Sequence, residues 1–341
     1  MKNADVKSGI DFVVSWVDGS DPAWLAERNR YAAELGETCI NEARYRDWDL
    51  LRYWFRGVEC CAPWVDNIYF VTWGHIPAWL NTDHPKLKIV KHADYMPAQY
   101  LPTFNSHTIE LNLHRIPGLS RRFVYFNDDV FLLKPVRPSY FFRHGLPRDY
   151  IGLDAIFFRK GTSGHIMSEN IEVINDNFDY GTFVRRSFFR IFNPLLGIPR
   201  FLKNVFMYMC IRRYFSGFSG RHAFMAFDRA TFEDVWRAEP EKLDRTCRCR
   251  FRRPDNVSPW LMRYWQLAKG TFASASPRSY GNRNLKDETL HDTADLITKR
   301  RFSVLCVNDN SFIRDFDGTK REMHAAFGKL FPTPSAFERS N

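Results

Sequence analysis

The sequence predicts an α/β fold built on a mainly parallel sheet. Short runs of β-branched and aromatic residues alternate with stretches that carry apolar side chains at helical spacing, a pattern typical of strand–helix–strand units. Polar loops follow several predicted strands, as in folds that bind ligands at the carboxyl ends of their strands. The chain has 341 residues, of which 45% are hydrophobic, which is enough for a substantial core. We therefore expect a single domain over residues 1–341.

In the first part of the chain, predicted strands and helices follow each other closely. The first strand spans residues 10–17 and ends in a turn at 18–22, which contains neither G-x-G-x-x-G nor a Walker loop. The next elements are a helix over 22–35, an amphipathic helix that begins near Asp49 and is ended by Pro63, strands over 67–72 and 86–91, helical spacing over 105–116, and a strand over 123–126. This order predicts a parallel arrangement for most of the sheet.

The second part of the chain has a less regular pattern. The predicted elements are a strand over 150–158, a polar and mobile segment over 160–185, an apolar helix after His222, a helix over 256–267, a strand over 301–307 and a helix over 320–331. Residues 160–218 are predicted to form a helical insertion, rich in basic and aromatic residues, within the domain.

Acidic and amide side chains interrupt the apolar pattern at the end of one predicted strand. Asn127, Asp128 and Asp129 separate the run 123–126 from a second apolar run that starts at Val130. Adjacent carboxylates are costly to bury unless a cation neutralises them, and Mg²⁺ or Mn²⁺ prefers such oxygen ligands. Asn and Asp are also common in ordinary turns, so a polar turn remains the alternative interpretation.

Two further segments carry polar groups that favour a site. The helical segment before the acidic pair contains Asn105, Ser106 and Glu110, with Glu110 and His114 one turn apart on the same face. The predicted strand 301–307 is followed by Asn308 and Asp309, as the run 123–126 is followed by Asn127 and Asp128. If the two strands are neighbours, their acidic and amide groups point into one cleft.

The charge of the chain favours acidic partners. The net charge is +10 at pH 7, and residues 183–215 combine arginine, lysine and aromatic residues without a single acidic one. Three interpretations of this segment stay open: helices packed on the core with a basic outer face, peripheral contact with an anionic membrane, or binding of a polyanionic polymer. No nucleic-acid-binding motif accompanies the charge. Seven cysteines do not suggest a disulfide framework, so we expect a cytoplasmic protein.

Several long motifs resemble the Stealth family of sugar-phosphate transferases, which includes bacterial capsular polysaccharide phosphotransferases and the eukaryotic N-acetylglucosamine-1-phosphotransferase. The matching segments are IDFVVSWVDGSDPAW at 10–24, residues 44–80 continuing to LPTFNSHTIELNLHRIPGLSRRFVYFNDDVFLL at 101–133, SGRHAFMAFDR at 219–229, FRRPDNVSPWL at 251–261, RFSVLCVND at 301–309 and LFPTPSAFE at 330–338. The resemblance implies a nucleotide-sugar transferase fold of the GT-A-like type. The histidine segment departs from the family pattern, because Ala223, Phe224 and Met225 stand where the family often has a proline.

The resemblance also implies a reaction and roles for individual residues. A hexose-1-phosphate, such as N-acetylglucosamine-1-phosphate, would move from a UDP-sugar to a hydroxyl of a glycan acceptor in capsular or exopolysaccharide synthesis, releasing UMP. The implied catalytic residues are His222 as the base, Arg252 as the clamp on the phosphoryl group, and Asp128. The implied metal ligands for Mg²⁺ or Mn²⁺ are Asp128, Asp129 and Asp309. The implied substrate-binding residues are Asp18, Arg44, Asp49, Asn105, Ser106, Glu110 and Asn127.

Two other functions stay open at this stage. A metal-dependent glycosyltransferase would use the same donor and acidic pair but release UDP. A non-catalytic binder of a polyanionic glycan would use only the basic segments, which leaves the acidic strand ends without a purpose. The membrane contact through residues 183–215, on the inner face of the cell membrane, would be an additional property of either enzyme.

Overall fold

The computed structural model describes residues 9–36, 46–159, 163–220, 222–309 and 313–339. The strands in these ranges are β1 (Ile10–Ser15), β2 (Ile68–Thr72), β3 (Leu87–Lys91), β4 (Arg122–Asn127), β5 (Val130–Leu132), β6 (Phe142–Arg143), β7 (Leu146–Asp149), β8 (Met225–Asp228), β9 (Ala273–Ser274), β10 (Tyr280–Asn284) and β11 (Val304–Asn308). The helices are α1 (Pro22–Glu34), α2 (Leu51–Cys61), α3 (Ser106–Leu111), α4 (Gly164–Asn177), α5 (Tyr180–Ile191), α6 (Ile198–Cys210), α7 (Arg229–Ala238), α8 (Pro240–Arg248), α9 (Trp260–Lys269), α10 (Leu290–Thr298) and α11 (Phe316–Leu330).

The central sheet has five strands in the order β3-β2-β1-β4-β8. Its first four strands are parallel, and β8 pairs antiparallel with β4 at the edge. The predicted α/β class with a mainly parallel sheet is therefore confirmed. Two three-stranded sheets, β10-β11-β5 and β6-β7-β9, extend the structure beyond the central one.

Both faces of the central sheet are covered, which explains why its strands are mainly apolar. Phe12 and Val14 of β1 contribute to one hydrophobic cluster, and Val13 between them contributes to another on the opposite face. In β4, Phe126 belongs to the first cluster and Tyr125 to the second. Successive side chains of a strand point to opposite faces, so a sheet buried on both sides needs apolar residues at every position.

The acidic tip, which is the pair Asp128 and Asp129, lies where the chain passes from one sheet to another. Residues Asp128 and Asp129 connect β4 of the central sheet to β5, which pairs antiparallel with β11. In that pair Val130 at the start of β5 lies opposite Cys306, near the end of β11. The start of one strand and the end of the other therefore meet, and Asn308 and Asp309 lie on the same side of the molecule as the acidic pair. The sequence predicted this meeting, but β5 is the neighbour of β11 and β4 is not.

Three predictions for the second part of the chain are wrong. Residues 150–158 form no strand in the described structure beyond a bridge between Leu153 and Phe218, because the side chain of Asn204 accepts the Leu153 N–H and occupies the other edge. The segment 160–185, predicted to be mobile, contains α4 and the start of α5. The segment after His222 is the strand β8 and not a helix, because it pairs with β4.

The helix predicted over 105–116 is shorter than its apolar spacing suggests. The α-helical part ends at Leu111, and Leu113–Arg115 form a separate 3₁₀ turn. Between them Asn112 donates a side-chain hydrogen bond of 2.8 Å back to the Thr108 carbonyl, a local bond that competes with the helical pattern. Glu110 and His114 therefore do not share a face: Glu110 lies at a cleft, whereas His114 stacks on the buried ring of Phe232 at 5.5 Å.

Candidate active site

An open cleft with a volume of about 620 Å³ lies at the carboxyl ends of β1 and β4. It is built from segments that are far apart in the chain. Its polar lining residues are Ser15, Arg46, Asp47, His92, Thr103, Ser106, Glu110, Asn127, Asp128, Asp129, His222, Arg252, Asn284, Asn308 and Asp309. Two tips of acidic and amide residues therefore face one cavity together with two histidines and two arginines.

The acidic pair carries unrelieved negative charge. The Asp128 side chain is open to the cleft, yet loss of hydration among the surrounding atoms, together with the charges of Asp129 and Asp47, raises its pKa to about 7. The Asp129 Oδ1 atom is buried and has no hydrogen-bond partner within the described ranges. A buried carboxylate oxygen without a partner beside a second carboxylate is an unfavourable arrangement unless a cation completes it. The donor set therefore fits a hard divalent cation.

His222 is held between the acidic tip and β11. Its Nε2 atom lies 2.8 Å from the Asn127 side-chain nitrogen, and its Nδ1 atom lies 3.2 Å from the Cys306 sulfur and 3.6 Å from the Asp129 carboxylate. A carboxylate next to Nδ1 favours a proton on that nitrogen, as in other oriented histidines. Nε2 then carries the lone pair and accepts from Asn127. The geometry presents Nε2 as the basic atom of the ring.

The Cys306 thiol is a hydrogen-bond donor in this cluster. Burial and the charge of Asp129 raise its pKa well above the ordinary value, and its sulfur lies 3.4 Å from Asp129 Oδ2. The ligand atoms of Asp129, His222 and Cys306 all lie within 4.8 Å of one another, a spacing that would suit a metal ion. A thiol that stays protonated is a poor ligand, and Mg²⁺ prefers oxygen, so Cys306 fits an orienting role better.

A second buried carboxyl group lies deeper in the cleft wall. Burial raises the pKa of Glu110, while the nearby Arg252 charge and a hydrogen bond from Tyr125 act in the opposite direction. The Tyr125 hydroxyl donates to Glu110 Oε1 at 3.0 Å and contacts the Ser15 hydroxyl at 2.7 Å. This network links the ends of β1 and β4 to α3. The Tyr125 hydroxyl holds the Oε1 atom of Glu110, and the residue lines the cleft.

Arg252 and Ser106 meet at the rim of the cleft. The Arg252 guanidinium donates a hydrogen bond to the Ser106 hydroxyl, and the rest of the Arg252 side chain is exposed. An exposed guanidinium held at one nitrogen keeps its other N–H groups available for a bidentate contact with a phosphoryl group. The loop that carries Arg252 is anchored by Phe251, which stacks on Phe104 at 5.3 Å.

Asp309 forms an ion pair with Arg46 across the cleft. The guanidinium donates two hydrogen bonds, Nε to Oδ2 at 3.0 Å and Nη2 to Oδ1 at 2.7 Å. The pair joins the segment before α2 to the end of β11. Both oxygens of Asp309 therefore accept hydrogen bonds, whereas Asp129 Oδ1 has no hydrogen-bond partner within the described residues.

Most of the residues predicted from the sequence converge, but not all. The predicted residues that line the cleft are Ser106, Glu110, Asn127, Asp128, Asp129, His222, Arg252 and Asp309. Asp18 lies outside the lining, where its carboxylate accepts from the backbone and hydroxyl of Ser20. Asn105 is fully buried as the N-cap of α3, and Asp49 faces a separate shallow pocket near α11. Arg44 lies outside the described residues.

Sequence reasoning missed several residues at the site, among them Asp47, which lines the cleft, and Cys306, which is buried beside His222. Cys306 was predicted only as part of the strand 301–307, although it lies two positions before Asn308, on the alternate-residue spacing that shares one face of a strand. Asp47 was not predicted as a site residue. In the structure it lines the cleft, and its pKa is raised by burial and by the nearby carboxylates of Asp49 and Asp18. The spacing of Cys306 was a usable signal, whereas nothing in the sequence around Asp47 indicates the cleft.

Comparison with known proteins gives a consistent result. The family descriptions "Stealth protein CR1, conserved region 1" and "Stealth protein CR2, conserved region 2" match residues 9–36 and 44–149. A capsular polysaccharide phosphotransferase, WcwK, from Streptococcus pneumoniae is 38% identical over 99% of this chain and 100% of its own length. The receptor polysaccharide phosphotransferase WefC from Streptococcus oralis is 36% identical, covering 96% of this chain and 99% of its own. The exopolysaccharide phosphotransferase cps2G from Lactiplantibacillus plantarum is 36% identical over 97% and 96%.

Among solved structures, the galactosyltransferase LgtC in complex with donor and acceptor sugar analogs is 12% identical and covers 95% of this chain and 98% of its own, with a TM-score of 0.41. A TM-score below 0.5 does not establish a common topology. The family therefore rests on the full-length sequence relatives, and the α/β class rests on the strand order described above.

Proposed function

Because this chain belongs to the Stealth family and is a transferase, as its full-length phosphotransferase relatives show, we propose that it transfers a sugar-1-phosphate from a UDP-sugar to a hydroxyl of a glycan acceptor. The acceptor oxygen bonds to the β-phosphorus of the donor, the bond from that phosphorus to the UMP oxygen breaks, and a phosphodiester and UMP result. The main structural support is the convergence of Asp128, Asp129, His222 and Arg252 on one cleft. Capsular or exopolysaccharide synthesis is the corresponding process.

The acidic tip supports a divalent cation as part of this reaction. Asp128 and Asp129 are the residues that would hold Mg²⁺ or Mn²⁺, since one has a raised pKa and the other a buried oxygen without a partner in the described structure. When bound, such an ion neutralises the charge of a diphosphate. Asp309 faces the same cavity, but we assign its carboxylate to the ion pair with Arg46.

His222 is the proposed general base. Its Nε2 atom would exchange the Asn127 amide for the acceptor hydroxyl and take the proton of that hydroxyl as the oxygen attacks. The Asp129 carboxylate beside Nδ1 would stabilise the imidazolium that results. Removing a positioned general base typically lowers a rate by about 10²–10⁴-fold.

Arg252 is the proposed clamp on the phosphoryl group in transfer. Negative charge spreads over the phosphoryl oxygens in the transition state, so a preorganised guanidinium stabilises it more than it stabilises the ground state. Ser106 holds one side of the guanidinium, and Glu110 contributes a nearby carboxyl group. Lysine at position 252 would keep the charge but lose the bidentate geometry.

One experiment separates this proposal from its alternative. The purified chain is incubated with a set of UDP-sugars, a glycan acceptor and Mg²⁺, and the released nucleotide is identified by chromatography. UMP supports phosphodiester transfer, whereas UDP would make the chain a glycosyltransferase. His222→Gln should lower the rate of UMP release by at least about 10²-fold, and His291→Gln, whose side chain is 89% exposed, is the matched control. Unchanged turnover in folded His222→Gln would remove this residue from the mechanism.

A further inference from the structure

An exposed apolar surface lies on the helical insertion, at α6 and the segment before it. Six large apolar side chains there are more than half exposed: Phe189, Leu195, Ile198, Leu202, Phe206 and Met209. We call this set the α6 face. Isolated exposed apolar residues are common, but a cluster of this size on one segment marks an interaction surface.

The periodicity of α6 shows that the exposed apolar side chains of this helix form one stripe. Ile198, Leu202 and Phe206 follow each other at intervals of four residues, so they lie above one another along the helix. The opposite side carries Asn204 and Met207, which are buried. The helix therefore packs Met207 and Tyr208 against the core and leaves a second apolar stripe facing outward, where a helix of a water-soluble fold usually carries polar residues.

Hydrogen bonds of a buried asparagine fix this orientation. Asn204 accepts from the Leu153 N–H at 2.8 Å and donates to the carbonyls of Ile151 at 3.0 Å and Ile191 at 2.6 Å. Rotating α6 to bury its apolar stripe would break all three and leave backbone groups unsatisfied. The outward stripe is therefore built into the fold.

The charge around the α6 face is predominantly positive, with Asp154 paired to Lys203 of α6 at 2.7 Å. The sequence from 180 to 227 contains no aspartate or glutamate, and its basic residues are Arg185, Arg186, Arg190, Arg200, Lys203, Arg212, Arg213 and Arg221. Arg212 and Arg213, directly after α6, are exposed, and neither forms an ion pair within the ranges that the structure covers. An apolar stripe beside unpaired arginines complements a surface that is apolar inside and anionic at its edge.

We propose that the α6 face binds the surface of an anionic lipid bilayer. The apolar side chains insert at the boundary of headgroups and acyl chains, and the arginines contact lipid phosphates. None of the helices described is long and apolar enough to cross a membrane. A polyanionic glycan offers nothing apolar to the stripe, and a second copy of the same face would bring arginines against arginines. Of these three partners, a bilayer is the one that complements both the apolar stripe and the arginines.

Vesicle sedimentation tests the proposal independently of catalysis. The full chain is mixed with vesicles of phosphatidylcholine alone and with vesicles that also contain phosphatidylglycerol, and the bound fraction is measured. The chain should bind the anionic vesicles, and added salt should weaken that binding. The pair Arg212→Gln and Arg213→Gln should lower the partition coefficient by about 30-fold, since each basic residue near an anionic surface contributes roughly a factor of five. The pair Leu202→Gln and Phe206→Gln should lower it by about tenfold or more.

The matched control is Leu35→Gln, which removes an exposed apolar side chain of the segment after α1 and should leave binding unchanged. Circular dichroism and thermal melting verify the fold of each variant. Phe189→Gln, at an 88% exposed position, provides a further variant if the α6 pair does not fold. No binding to anionic vesicles, or unchanged binding of the folded α6 and arginine variants, would overturn the proposal. So would a dimer, or a complex with dextran sulfate, that depends on the α6 face while vesicles are not bound.

Discussion

The ion pair between Arg46 and Asp309 closes one wall of the cleft, and its coupling energy can be measured. The changes are Arg46→Gln and Asp309→Asn, singly and together. The pair has two charge-assisted hydrogen bonds of 3.0 and 2.7 Å, and the two side chains are 28% and 16% exposed. Exposed pairs contribute about 0.2–1 kcal/mol, and hydrogen bonds to charged groups reach about 1.5–3 kcal/mol. For a partly screened pair we expect a coupling of about 1–2 kcal/mol.

The two single changes should not have equal effects. The Arg46 guanidinium also lies over the Phe316 ring at 4.9 Å, a contact that contributes about 0.5–1 kcal/mol. Arg46→Gln should therefore destabilise the chain more than Asp309→Asn does. The double-mutant cycle cancels the contact with Phe316, because that contact is lost both in the single and in the double variant.

Urea unfolding without divalent cations provides the free energies, once fluorescence and circular dichroism give coincident transitions. The pair Arg30 and Glu34 on α1 is the matched control, because its side chains are 57% and 52% exposed at an N–O distance of 3.2 Å. Its coupling should be clearly smaller than that between Arg46 and Asp309, because solvent screens an exposed pair. A coupling between Arg46 and Asp309 no larger than that of the control pair would refute the assignment of Asp309 to the ion pair.

Two further predictions concern the scaffold. Gly57→Ala should destabilise the chain by about 1–3 kcal/mol in urea unfolding despite the better helix propensity of alanine, because the added Cβ would lie 2.9 Å from the backbone oxygen of Leu132; a gain in stability would contradict this packing. Burial lowers the pKa of His114 to about 3, below its ordinary value of 6.5, so its contribution to stability is complete above pH 6.5 and is lost as the pH falls towards 3. Between these two pH values the free energy of unfolding falls by about 1.4 kcal/mol per pH unit. His114→Gln should therefore lose less stability than wild type between neutral pH and about pH 5.5, and equal losses would refute the buried neutral state.

The sequence predicted those parts of the fold that depend on neighbouring residues. The first strand, the strand 67–72 and the acidic turn at Asp128 and Asp129 are each specified by a short apolar run and the polar residues after it. Such signals are local, and a parallel strand buried on both faces is mostly apolar. The prediction of an acidic tip at a cleft succeeded for the same reason.

The environment of His222 could not be predicted in this way. The apolar run after it suits a helix as well as a strand, and the structure makes it a strand because Ala226 and Phe227 pair with Val124 and Phe123 of β4. This antiparallel pairing runs the chain back along β4 and brings His222 to Asn127. Strand formation depends on a partner about a hundred positions away in the sequence, and local propensity does not identify that partner.

The direction in which an amphipathic helix faces is a further property that spacing does not specify. The interval between Ile198, Leu202 and Phe206 predicts an apolar stripe on α6, and the usual inference would place that stripe against the core. The structure leaves this stripe exposed, because three hydrogen bonds of the buried Asn204 to backbone groups hold another side of the helix inward. Asn204, in the middle of the helix, is a local sign of this arrangement. Where the local pattern and the folded arrangement disagree in this way, the disagreement itself indicates a surface that is kept for a partner.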